Sequence, residues 1–228
     1  ASVIEAGIAN ARVATPESIG VFATSETAIV NVGGSVGGGV IGAGFQAGVV
    51  TQTEQVRAEV TGSRLLAGGA GPGLALQDGV SVITATGPDE RPSNQSETRR
   101  IASTVAGTAI LARRDGLTIN GQIGAGGGLL GGGGAAAVTI SDNTILARMA
   151  DNSTVSAPAS ASGDWRAFTL SPAAVDGQSL VVQAIGVNRF IQGSIFGAVG
   201  AVTAGASANA LVDKDNVRAR IETSQANL

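Results

Sequence analysis

The chain contains no His, Cys or Tyr, and it has one Trp and five Phe among 228 residues. Without His and Cys it has no imidazole base, no thiol nucleophile and none of the nitrogen or sulfur ligands that zinc prefers. The absence of Cys is compatible with a reducing cytosol and equally with a bacterial surface protein that folds without disulfides. These absences predict a protein that is not an enzyme and that has no cofactor-binding or metal-binding residues.

Charge is also scarce. The chain has 14 basic and 17 acidic residues, a net charge of −3 and an isoelectric point of about 4.9. The basic residues are scattered, whereas a nucleic-acid interface needs a concentrated basic face. The hydrophobic share of 43% and the mean hydropathy of +0.28 exceed those of disordered polyelectrolytes. We therefore expect a folded protein that does not bind nucleic acid.

Two stretches without charge, residues 27–53 and 116–141, are long enough to span a membrane. Glycine and alanine contribute little transfer free energy, however, and polar side chains interrupt both stretches. These interruptions are Asn31, Ser35, Gln46, Asn120 and Gln122. We interpret the stretches as glycine-rich protein interior and predict no transmembrane span.

A short alternating segment occurs four times. It reads IEAGI at residues 4–8, VRAEV at 56–60, ILARM at 145–149 and VRARI at 217–221. Each copy has a large apolar residue, an alanine and another large apolar residue at alternate positions, with mostly charged residues between them. This period of two predicts strands with one buried face, and the central alanine predicts a tight interior.

Much of the glycine, 35 residues in all, falls in three runs at 33–50, 121–138 and 193–211, before the last three copies. No Lys-Ser or Lys-Thr pair follows the run at 124–134 to make a phosphate loop, and the runs lack the acids of calcium-binding nonapeptide repeats. Glycine and alanine also allow neighbouring backbones or sheets to approach closely. We predict this structural role for the runs.

The repeats predict one elongated region covering residues 1–228. Its modules fall at approximately 1–54, 55–143 and 144–215, followed by a partial module at 216–228. The uneven spacing is explained by an inserted surface loop at 87–100, GPDERPSNQSETRR, because its density of Pro, Asp, Asn and Ser is typical of surface loops. A second surface loop is expected at 157–164, just before Trp165.

The order of these parts resembles the repeat regions of large bacterial autotransporter and haemagglutinin-like surface adhesins. The resemblance rests on residues 145–157 after the run at 121–138, on residues 56–67 after 33–50, and on residues 4–23. It implies a right-handed parallel β-helix that is secreted to the extracellular bacterial surface, with an adhesive or scaffolding role, as in a biofilm. The uneven modules and the charged loop depart from the family's pattern.

The sequence therefore predicts an all-β fold, either a β-solenoid (parallel β-helix) or an elongated stacked-strand rod. The alternative is a β-sandwich subunit that polymerises by donated strands, for which terminal strands at 3–8 and 217–221 would be suitable. The expected function is that of a non-enzymatic, extracellular structural or adhesive segment of a surface protein or fibre, whose other partner would be a host or matrix surface.

The pattern is unfinished at both ends of the chain, which predicts self-association by head-to-tail or edge-strand pairing. The alternative function is therefore a pilus-like subunit of a self-assembling filament.

Two further functions stay open. A β-helix enzyme acting on polysaccharides could use carboxylates and aromatic platforms, and the candidates are Asp142, Asp151, Asp213 and Asp215 with Trp165, Phe168 and Phe190. A calcium-stabilised binding module could use the acidic stretch DKDN at residues 213–216.

Overall fold

A computed structural model describes residues 1–83, 96–156, 165–168, 178–222 and 225–227. This part of the chain is all β, without a helix. Its strands are β1 (Ser2–Ala9), β2 (Arg12–Thr15), β3 (Ile19–Gly38), β4 (Ile41–Thr61), β5 (Arg64–Ala67), β6 (Leu74–Ile83), β7 (Ser96–Gly127), β8 (Leu130–Met149), β9 (Thr154–Ser156), β10 (Trp165–Phe168), β11 (Gln178–Val199), β12 (Val202–Asp213), β13 (Asn216–Ile221) and β14 (Gln225–Asn227).

The strands form three sheets, and the chain visits them in the same order repeatedly. Sheet 1 runs β1-β4-β8-β12, with β13 also on β8; sheet 2 runs β2-β5-β9-β14; sheet 3 runs β3-β7-β11-β10, with β6 on β7. All of these pairings are parallel except β6 with β7. Each circuit of the chain therefore lies directly on the previous one, and the predicted all-β class is confirmed.

The four alternating segments pair with one another residue for residue in sheet 1. Ala58 pairs with Ala6 on one side and with Ala147 on the other, and Ala147 also pairs with Ala219. The large apolar residues that flank each alanine stack in the same way, and in β4 and β8 they are fully buried. The predicted alternation is confirmed, because one face of each strand points into the core while the charged residues between point outward.

The main core lies where the three sheets surround one space. Sheet 1 contributes Val56 and Ile145, sheet 2 contributes Leu65, and sheet 3 contributes Ile110 and Leu180, each with no exposed surface. The alanine row leaves room for these larger side chains, since protein interiors pack to nearly crystalline density. Burial of such side chains contributes about 1.5–3 kcal/mol each, so this triangular region supplies most of the hydrophobic stabilisation.

Beyond the core, sheets 1 and 3 continue without sheet 2 and form three stacked strand–turn–strand arches. We define arch 1 as residues 27–52, arch 2 as residues 116–141 and arch 3 as residues 188–213. The strands of each arch pair with those of the next, and the two-residue turns at 39–40, 128–129 and 200–201 fall at the same level. The glycine runs are therefore strands and turns of these arches.

The glycines at the end of the arches let the two sheets approach more closely than any side chain would permit. A Cβ atom on Gly126 would overlap the carbonyl oxygen of Gly132 and lie 2.6 Å from that of Gly42. A Cβ atom on Gly124 would lie 2.9 Å from the carbonyl oxygen of Gly44. These atoms are backbone and cannot rotate away, so the prediction that glycine permits close backbone approach is confirmed.

The inserted loop ends earlier than expected. Residues 96–100, assigned above to the loop at 87–100, instead begin β7, whose first ten residues pair antiparallel with β6 from Ser96 opposite Ile83 to Val105 opposite Leu74. Strand pairing satisfies their backbone groups despite the polar composition. Residues 87–95, and the expected loop at 157–164, lie outside the described residues.

The stack is short along its axis and broad across it. Sheet 1 is four strands deep, which corresponds to about 14 Å between its outer strands, whereas a strand of 21 residues such as β4 spans about 70 Å. The arches lengthen each circuit, so the described chain completes few circuits. Elongation along the stacking axis, as in the expected rod, would need additional circuits or copies.

Candidate functional site

The residues between sheets 1 and 3 change in type along the arches. Apolar side chains in the core are followed by polar side chains and then by glycines. Where the apolar core ends, Arg114 of β7 donates from Nε to Glu54 Oε2 of β4 at 2.8 Å, and both side chains are buried. Ser25 donates a short hydrogen bond to Glu54 Oε1, and Thr27 donates to Oε2 at 3.3 Å. These bonds offset part of the desolvation of the two charges, since Arg114 Nη2 is buried without a hydrogen-bond partner among the described residues. The pair joins sheets 1 and 3.

Arg114 also connects this ion pair to a second polar group at the base of arch 3. Its Nη1 donates to Asn188 Oδ1. Asn188 Nδ2 donates to Asp215 Oδ2 at 2.6 Å, and Asn143 Nδ2 donates to Asp215 Oδ1 at 2.7 Å. The network thus connects the bases of all three arches and ends on a carboxylate that is held by two amides.

Asp213 lies beside this carboxylate at the end of β12. Burial, together with the negative charge and a hydrogen bond of Asp215, raises the pKa of the Asp213 carboxyl above its ordinary value. The amide of Asn188 and the charge of Arg114 act in the opposite direction. Asp213 is exposed and Asp215 is half-buried, so protons reach this pair from solvent.

Further along the arches the interior contains amides instead of charges. Asn120 Nδ2 donates to the carbonyl oxygen of Val138 at 2.9 Å, Gln122 Nε2 donates to Asn120 Oδ1 at 3.0 Å, and Asn31 Nδ2 donates to the same oxygen at 3.1 Å. Gln192 Nε2 of arch 3 donates across to sheet 1, to the carbonyl oxygens of Ala137 in arch 2 and Ala210 in arch 3. The polar interruptions of the charge-free stretches therefore lie between the sheets.

The outer faces of the same arches are apolar and exposed. On sheet 3 the large exposed side chains are Val30, Val32, Val36, Ile123, Ile191, Ile195 and Val199, and on sheet 1 they are Ile41, Phe45, Val49, Leu130, Val202 and Val212. Val36 is 87% exposed and Ile195 65%. Monomeric proteins rarely expose large contiguous patches of this kind, which usually mark interaction surfaces. The arches thus combine a polar interior with an apolar exterior.

The acidic candidates separate into two groups. Asp213 and Asp215 both face the interior and both accept from Asn188. Asp142 is exposed on the outer face of sheet 1, while its neighbours in β8 are buried, and Asp151 is exposed in the turn after β8. Of these four candidates, only Asp213 and Asp215 are brought together. Lys214, which lies between them in the sequence, is exposed.

The aromatic candidates do not share one place along sheet 3. The backbone of Trp165 pairs with Leu180 and that of Phe168 with Gln183, whereas Phe190 pairs with Thr118. Seven residues of β11 between positions 183 and 190 correspond to about 23 Å. The three residues expected as a sugar platform are therefore spread along the strand.

Within the described residues, no three His, Cys, Asp or Glu side chains cluster in a way that could hold a metal ion. The same part of the chain has no helix of the length and hydropathy that a membrane crossing requires.

No protein-family model, curated protein or solved structure matches this chain.

Sequence reasoning missed the buried Arg114–Glu54 pair and the two asparagines that continue it. Their positions in the strand alternation could have predicted their burial. Glu54 lies two residues before the alternating segment at 56–60, on the same face of its strand. Arg114 lies two residues after Ala112, on the face that buries Ile110 and Ala112. Alternation alone would have assigned both to the interior. Their partnership across the two sheets required the tertiary structure.

Proposed function

We propose that this chain is a β-solenoid (parallel β-helix) segment with a non-enzymatic, structural and adhesive role in a bacterial surface protein or extracellular fibre. The observation that supports it best is the in-register stacking of three arches, whose interior is filled by their own amides and glycines and whose outer faces are exposed aliphatic sheets. A protein with this design presents large exposed faces. The parallel pairing favours the solenoid over the β-sandwich, whose sheets are antiparallel.

Adhesion follows from the chemistry of the outer faces. Arches 1 and 2 contain no charged residue, and arch 3 has only Arg189 and Asp213. Such faces gain free energy by contact with another apolar surface at about 25 cal/mol per Å² of apolar area removed from water. We therefore propose that attachment is hydrophobic and does not depend on charge.

The adhesion assay compares binding of the purified chain to alkyl-coated and hydroxyl-coated surfaces at low and high salt. We expect selective binding to the alkyl surface that persists at about 1 M NaCl, because salt at that level screens exposed charges beyond roughly 3 Å. Val49→Asp, on the exposed outer face of sheet 1, should weaken binding, whereas Arg218→Asp, an exposed position in β13 away from the arches, should not. Binding that is lost in salt would exclude this mode of attachment.

A second candidate, a subunit of a self-assembling filament, is favoured by the open edges of the stack. In the described part of the chain β12 pairs only with β8, and β3 pairs only with β7. Unpaired strand edges are templates for pairing with another chain. Electron microscopy distinguishes the two: isolated plates about 70 Å across support the segment, and regular filaments support the subunit.

The enzyme alternative is tested separately. Incubation with pectin-like and alginate-like polymers should release no reducing ends, and release that is lost in Asp215→Asn would replace the structural proposal by a catalytic one.

A further inference from the structure

We propose that the outer face of sheet 3 in the arches binds the same face of a second copy of this chain. The two copies would be related by a two-fold axis that places isoleucine ridges of one copy in glycine grooves of the other. The inference builds on the proposed structural role and names the partner of one apolar face.

The face has a regular relief. Strand β7 reads INGQI at residues 119–123, and β11 reads IQGSI at residues 191–195. The pairing aligns Ile119 with Ile191, Gly121 with Gly193 and Ile123 with Ile195. Two isoleucine ridges therefore cross the strands with a glycine groove between them, a groove of about 260 Å³ that these side chains and Val32 line.

This relief is self-complementary. The two-fold axis lies in the plane of the face and runs across the strands at the level of Gln122 and Ser194. It places each strand antiparallel to the same strand of the second copy. In β7, Ile123 then faces Gly121 of the second copy. In β11, Ile195 then faces Gly193 of the second copy. Isologous interfaces of this kind are the commonest in homo-oligomers.

The match continues away from the axis. Under the same operation Ile119 faces Ala125 of the second copy, and Ile191 faces Gly197. In β3, whose Gly33 lies at the level of Gln122, Val32 faces Gly34. In these pairs a large residue opposes a small one, which favours interdigitation of the two sheets. At the outer strand β3 two exposed valines, Val30 and Val36, oppose each other instead.

Charge does not oppose this contact. Residues 28–38, 117–127 and 190–199 include no charged side chain. Arg189, which would face Val199 of the second copy at the end of the contact, is already paired with Asp115 at 3.0 Å. Two copies can therefore approach without desolvating an unpaired charge.

The available area is at the lower limit for a specific interface. Eleven residues at about 3.3 Å, on three strands about 4.8 Å apart, give a footprint of about 500 Å² per copy. Two copies then bury about 1,000 Å², the lower bound for a specific interface. We accordingly expect a reversible dimer in place of a permanent one.

The test exchanges ridge and groove in β11. Gly193 tolerates a side chain in the monomer, because a Cβ atom there would meet no atom within 4 Å. The variants are Gly193→Ile, which fills the groove, Ile195→Gly, which removes the ridge, and the double variant with both changes. Gly7→Ile is the matched control, since Gly7 is exposed in β1, far from the arches, and its Cβ would lie 3.5 Å from the nearest atom, an ordinary contact.

Sedimentation equilibrium measures the dimer dissociation constant of each variant, with urea unfolding as a check on the fold. Each single change should raise Kd roughly tenfold or more, because a two-fold interface contains the altered contact twice. The double variant should recover most of this loss, since isoleucine at 193 would again face glycine at 195. The control should have unchanged Kd.

Three results would overturn the proposal. The first is a wild-type chain that stays monomeric at all concentrations. The second is a dimer whose Kd is unaltered by the single changes. The third is a double variant whose Kd is no lower than that of the single variants. A monomer that binds neutral phosphatidylcholine vesicles would assign the face to lipid instead. Each result leaves the adhesion assay and the plate shape in micrographs unaffected, so failure of this pairing is distinguishable from failure of the proposed function.

Discussion

Replacing Gly126 by alanine tests the close approach of the two sheets in the arches. The added Cβ would overlap the carbonyl oxygen of Gly132 and lie 2.6 Å from that of Gly42, whereas ordinary contacts begin at 3.4 Å. Sheets 1 and 3 would have to separate by about 0.8 Å from Gly42 alone, and by more from Gly132. The neighbouring Gly127 is the matched control, because its Cβ would lie 3.8 Å from the nearest atom.

The magnitude follows from two opposing effects. Forcing extra atoms into a packed interior costs about 1–3 kcal/mol, and the upper end applies where only backbone can move. Alanine in a strand is favoured over glycine by about 0.5–1 kcal/mol through backbone entropy. We therefore expect Gly126→Ala to destabilise the chain by about 2 kcal/mol, and Gly127→Ala to be neutral or to stabilise it slightly.

Urea unfolding monitored by far-ultraviolet circular dichroism gives the free energy of unfolding of both variants. With a slope of about 2 kcal/mol per M, Gly126→Ala should lower the midpoint by about 1 M at unchanged slope. Hydrogen exchange should quicken in β7 and β8 near the turn at 128–129. Equal midpoints for the two variants would show that the sheets do not approach as described, and the account of the glycine runs would be wrong.

Three further expectations concern the core and the polar network. Ala147→Leu should destabilise by about 3 kcal/mol through overpacking, while Leu146→Ala on the outer side should cost less than about 1 kcal/mol by the same urea assay. Glu54→Gln should cost about 3–5 kcal/mol because Arg114 is left charged and buried, and adding Arg114→Met should recover part of this. Asp213→Asn should raise the melting temperature at neutral pH, where folding disfavours the ionised aspartate; the gain should disappear below pH 3.8, the ordinary pKa.

The sequence predicted the core of the fold well because strand alternation is a local property. Ile4, Val56, Ile145 and Val217 were recognised as equivalent by pattern, and they pair with one another in sheet 1. The close approach of the glycine runs followed from the absence of a side chain. Neither inference needed knowledge of a distant partner.

The loop at 87–100 was predicted less well, because polar composition measures exposure and does not measure pairing. Residues 96–100 contain two arginines and a glutamate, yet their backbone groups pair with β6. The aromatic candidates lie apart for a related reason. Trp165, Phe168 and Phe190 are close in sequence, but the extended β11 carries Phe190 far along the sheet.

The sequence alone determined that this protein is built from strands, which faces of the alternating segments are buried, and that its glycine runs permit neighbouring backbones to approach closely. Each of these depends on side-chain size and on a period of two, which a linear chain displays directly. Only the tertiary structure decided that the charge-free stretches are arches with amides inside and aliphatic residues outside, and that Arg114 meets Glu54. Those facts depend on which sheet faces which, and the partners stand 60 residues apart in the chain.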